Sequence, residues 1–169
     1  MAFSIYTASV PVFRQYLGSL DAILHKAEKH AVDGKFDPDV LLQARLYPDM
    51  FPFVRQVQLA ASFARDITAR LGGTDIPKYD NTEHSFADLH ALIVRTLAFI
   101  DSVPQTTIEG HEDRKTATRV GTPQEKTYTA QSYLLTYGMP QFFFHITTAY
   151  AILRHNGVVV GKRDFLGKF

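Results

Sequence analysis

Residues 50–73 read MFPFVRQVQLAASFARDITARLGG. Met50, Phe53, Val54, Val57, Ala60, Ala61, Ala64, Ile67 and Leu71 recur at heptad-like spacing, which gathers apolar side chains on one face of a helix. Asp49 is placed to cap the start, and Gly72-Gly73 ends the pattern with residues that tolerate a left-handed backbone. A helix with one apolar stripe must bury it against other elements, so the fold follows from what flanks this segment.

Upstream, Phe13, Leu17, Leu20, Leu24 and Ala27 fall at steps of three and four between Val10 and Ala31, with Pro11 suited to a first helical turn and Gly34 beyond the end. Phe36-Asp37-Pro38-Asp39 then predicts a short helical turn reaching Gln43. Downstream, residues 74–83 form a polar loop around Pro77. Ser85 with Asp88 three residues on resembles a capping box, and Leu89, Leu92, Ile93, Leu97 and Ile100 make a third stripe that ends before Pro104. Between residues 106 and 129 the period changes: Thr116, Thr118 and Val120, then Gly121-Thr122-Pro123, then Thr127 and Thr129 predict a short β-hairpin. A helical stretch over 130–137, a break at Gly138-Met139-Pro140, and a fourth helix from Pro140 to Arg154 follow, with Asn156-Gly157 as its stop and residues 158–169 as a coil that packs or hangs. The expected fold is all-α: one domain over 1–169, a four-helix bundle with a hairpin between the third and fourth helices.

Composition excludes several functions. The 169 residues are 46% hydrophobic and 21% charged, which suits a packed core rather than disorder. Eighteen basic against 17 acidic residues leave +1, so no global field draws nucleic acid or an anionic membrane. Without cysteine there is no disulfide, thiolate nucleophile or sulfur-ligated metal. No window approaches a membrane span and Met1 to Ser9 lacks the pattern of a secretory signal, so a cytoplasmic protein is expected.

Seven histidines, at 25, 30, 84, 90, 111, 145 and 155, are where a metal site would be sought. No two are three or four residues apart, the separation at which two ligands share a helix face. Asp21 with His25 reads as an ordinary surface pair and His84 with Asp88 as a cap pair; His30, His90 and His111 show no partner pattern and read as surface or cap histidines. His145 follows three phenylalanines. It reads either as a core or rim imidazole satisfied by a partner, or as a pocket histidine with Gln141 one turn away and Tyr150 nearby. No Gly-x-Ser-x-Gly elbow or phosphate loop is present, and the basic cluster Arg154, His155, Lys162, Arg163 and Lys168 reads as a solvated face.

The stretches PQFFFHITTAYAILRHNGV (140–158) and GKRDFLG (161–167), with LYPDM (46–50), resemble the signatures of a domain-of-unknown-function family in the DinB-like, or YfiT-like, superfamily of four-helix metalloenzymes. The resemblance implies a metal site of three histidines, two on the fourth helix and one on the second. With Leu153-Arg154 setting the register, His145 falls on one ligand position and Gln141 on the other, while residues 45–71 hold no histidine and offer Asp49 and Gln56 as the nearest polar candidates. Glutamine is a poor transition-metal ligand beside imidazole, so the triad is expected to be lost and no cofactor is expected. The leading expectation is a pocket for an unknown small molecule around His145, Gln141, Asp49, Gln56 and Tyr150. The rival is a metal-dependent enzyme, a thiol-dependent transferase or hydrolase-like, using Zn, Ni or Mn on His145 and Asp49. A third is a homodimer whose helical face serves assembly, as the resemblance implies.

Overall fold

The computed structural model describes residues 4–168. Four long helices dominate: α1 (Val10–Gly34), α3 (Phe53–Gly72), α4 (Phe86–Ser102) and α7 (Met139–His155). Single turns lie between them: α2 (Asp39–Leu42), α5 (Gln105–Ile108) and α6 (Ala130–Tyr133). A two-stranded antiparallel hairpin, β1 (Lys115–Thr118) and β2 (Lys126–Thr129), stands between α5 and α6, pairing Lys115 with Thr129 and Thr118 with Lys126. α3 packs along α7 and α4, and α1 packs along α4 and α7. The apolar stripes meet between them, as where Phe13 of α1 lies edge-on to Phe142 of α7 at 4.9 Å. Among the described residues, no helix is long and apolar enough to cross a membrane.

The capping expected for α4 is present: Ser85 Oγ accepts from the Asp88 backbone N–H at 3.1 Å, and the Asp88 carboxylate accepts from the His84 N–H at 3.2 Å. The Ser85 hydroxyl also donates to the Asp88 carboxylate at 2.7 Å, and this bond, with the His84 N–H second, holds the carboxyl below its usual range. At the other end of α3, Gly73 takes the left-handed conformation (φ 67°) that the Gly72-Gly73 pair predicts.

Three expectations need correction. The second long helix begins at Phe53, not at Met50, and Asp49 does not cap it. Pro52 is the reason: its ring disfavours helical backbone at Phe51, and Pro52 itself is extended at φ −68°, ψ 166°. The break at Gly138-Met139-Pro140 does not occur. Leu134–Gly138 forms a π-helical turn in which the Met139 N–H reaches the Leu134 carbonyl five residues back, and the wider turn carries the chain past Pro140, which has no N–H to give. Gly138 sits so close to α3 that a Cβ there would lie 2.9 Å from Ile67. The tail, expected as a coil over 158–169, contains one helical turn, α8 (Lys162–Leu166), docked on α1: Gln15 Nε2 donates to the Leu166 carbonyl at 2.8 Å and Lys26 pairs with Asp164 at 2.7 Å, while Phe169 lies outside the described residues.

Candidate functional site

His145 lies on the face of α7 that packs on α3, and its side of that seam is built by two residues of α3 seven apart, Gln56 and Phe63. Seven residues are two helical turns, so both side chains emerge on the same face. Phe63 stacks on the imidazole at 5.5 Å with planes 13° apart, and Phe144 meets it edge-on at 5.3 Å. His145 is 7% exposed and Gln56 1%.

The hydrogen bonds fix the tautomer. Gln56 Nε2 donates to the Phe51 carbonyl at 3.1 Å, which leaves Gln56 Oε1 facing His145 Nδ1 at 2.8 Å. An amide oxygen only accepts, so Nδ1 carries the proton and donates it. The opposite flip of the amide would set its oxygen against the Phe51 carbonyl oxygen and lose that bond. Nε2 therefore presents a bare lone pair and has no partner among the described residues. Burial pushes the imidazole pKa down to about 4, and the nearby Arg55 guanidinium pushes the same way. Near neutral pH the ring is uncharged and held, an acceptor at Nε2.

The other residues expected at this site are dispersed. Gln141 is half-buried one turn before His145 and lines an open depression of about 330 Å³ with Pro140 and Phe144. Asp49 is exposed on the loop before α3 and bonds neither His145 nor Gln56. Tyr150 points to the C-terminal segment, where its ring lies 5.5 Å from Phe165. The structure thus joins His145 to Gln56, keeps Gln141 beside them, and places Asp49 and Tyr150 elsewhere.

A second constellation escaped the reading of the histidines. Asp21 and His25 on α1 meet His90 of α4: His90 Nδ1 lies 2.6 Å from Asp21 Oδ1, and the two imidazoles stack at 3.9 Å with planes 23° apart. Asp21 with His25 was legible as an i,i+4 pair. His90 was not, because its partner lies 69 residues away on another helix.

The model of a domain of unknown function, DUF1993, matches residues 5–166 of this chain. None of the curated proteins matches. A crystal structure described as a DinB family member protein from Shewanella denitrificans is similar at a TM-score of 0.91 and 37% identity, over 98% of this chain and 93% of that one.

Proposed function

This chain belongs to the DUF1993 family and is DinB-like, and on that footing we propose that it binds a small molecule through the Nε2 lone pair of a neutral His145. The same proposal takes the four long helices as the DinB-type four-helix bundle, with His145 on the α3–α7 seam. The observation that carries it is the Gln56–His145 bond. One ring nitrogen is committed to Gln56, and the protein leaves the other as an acceptor.

The donors do not fit the three-histidine metal site of the superfamily. Gln56 spends its carbonyl on His145 and its amide on Phe51, and α3 supplies no imidazole. One nitrogen is too few to hold a zinc or nickel ion. The ligand this seam favours is a neutral one with an O–H or N–H to donate and a ring to lie against Phe144, which is 56% exposed. A cation is opposed by Arg55.

Phenol and toluene test this, since they share a ring and differ in the donor. Phenol is expected to shift the amide resonances of Gln56, Phe144 and residue 145 in a saturable way, toluene much less, and His145→Phe, which keeps a ring and has no acceptor, is expected to remove the difference. Equal shifts from both probes, or a phenol–toluene difference that survives in His145→Phe, contradict the proposal. The homodimer belongs to the same proposal: Leu46, Tyr47 and Phe51, close in sequence before α3, are 41%, 66% and 55% exposed, an apolar surface that a second copy would cover.

A further inference from the structure

We infer that Asp21, His25 and His90 form a binding site for a single divalent transition-metal ion on the α1–α4 seam, separate from the ligand site at His145. One donor atom of each residue lies within 4.8 Å of the other two. The helices dictate this convergence. Asp21 and His25 are one turn apart on α1, and α4 packs alongside with His90 facing them.

Without an ion the cluster leaves its donors underused. His25 Nε2 is 3.8 Å from Asp21 Oδ2, too long for a hydrogen bond. Asp21 Oδ1 receives His90 Nδ1, so of the four imidazole nitrogens only that one bonds to the carboxylate. Nδ1 is the His90 atom that faces the carboxylate, so a cation shared by the three side chains would take the place of the Nδ1 proton there and also engage the His25 nitrogen that the hydrogen bonds leave idle.

The displacement required is small. Ligand atoms around a tetrahedral ion with bonds of about 2.0–2.1 Å stand about 3.3 Å apart. The 2.6 Å contact between His90 Nδ1 and Asp21 Oδ1 would open by roughly 0.7 Å, and the other donor pairs, within 4.8 Å of one another, would close by at most roughly 1.5 Å. The side chains of Asp21 and His25 are 31% and 64% exposed, so both have room for those rotations, and solvent reaches the remaining coordination positions. Two imidazoles with one carboxylate select zinc, cobalt or nickel over magnesium or calcium, which prefer oxygen alone.

The test is Co²⁺ titration of chelator-treated protein, read by visible d–d absorption and by calorimetry. One equivalent is expected to bind, and Zn²⁺ is expected to displace it. His25→Ala, at the most exposed ligand, and Asp21→Asn are each expected to weaken binding by more than about tenfold. His90→Ala is read only where its circular dichroism matches that of the parent. His145→Gln is expected to bind Co²⁺ as the parent does, which separates this site from the one on α3 and α7. Absence of saturable binding, unchanged affinity in His25→Ala and Asp21→Asn, or loss of binding in His145→Gln would each overturn the assignment.

Discussion

Acid should destabilise this protein through His145 in particular, and His145→Gln isolates that effect. The folded imidazole titrates at about 4 against an ordinary value of 6.5, with burial the larger cause and Arg55 the smaller. Between those two values the unfolded chain binds a proton at position 145 that the folded chain refuses. Stability therefore falls as pH drops through that window, and this group has no influence above it. The interval of about 2.5 pH units, at about 1.4 kcal/mol each, makes the loss about 3 kcal/mol by pH 4. For a chain of this size that is a fall in Tm of roughly 6–12 °C. The assay is urea unfolding by circular dichroism at a series of pH values, for the parent and His145→Gln. Glutamine can still donate to Gln56 but does not titrate, so subtracting the two curves removes the other six histidines and the carboxylates. The parent should lose about 3 kcal/mol more than the variant between neutral pH and pH 4. Parallel curves would refute the reasoning, because they would mean that His145 protonates as readily folded as unfolded.

Gln56→Leu should cost about 1–3 kcal/mol, because the His145 Nδ1–H and the Phe51 carbonyl both lose their partner; denaturant midpoints measure it, and a neutral result would contradict the bonding described. Gly138→Ala should destabilise by about 1–3 kcal/mol through its approach to buried Ile67, and Ile67→Val in the same chain should recover part of that loss in a double-mutant cycle. In analytical ultracentrifugation the parent should sediment as a dimer and Tyr47→Asp should shift it toward monomer; a monomeric parent at the highest soluble concentration removes the dimer proposal.

The helical skeleton is legible because its signals are local. Apolar spacing, Ser85 with Asp88 and the Gly72-Gly73 stop each depend on residues within a turn or two. The errors come where a distant partner or a single imino acid overrides the pattern. Pro52 delays α3 by three residues although Met50 and Phe53 continue the stripe. Pro140 suggests a break, yet the π-helical turn before it absorbs the missing N–H, and packing against Ile67 holds that turn in place. At the candidate site, helical spacing relates His145 to Gln141. The link from His145 to Gln56, 89 residues away, depends on how α7 meets α3. His90 fails for the same reason, since nothing within its own helix marks Asp21 as its partner. Residue types announce chemistry, but only the crossing of two helices decides which donors meet.

The proposed binding depends on a neutral His145 with its proton on Nδ1 and its lone pair on Nε2. Long-range ¹H–¹⁵N correlation spectra of the imidazole near neutral pH measure that directly. A protonated Nδ1 resonance with an unprotonated Nε2 is predicted, together with collapse to the averaged tautomer pattern in Gln56→Leu. A proton on Nε2, or the paired signature of an imidazolium, would contradict it.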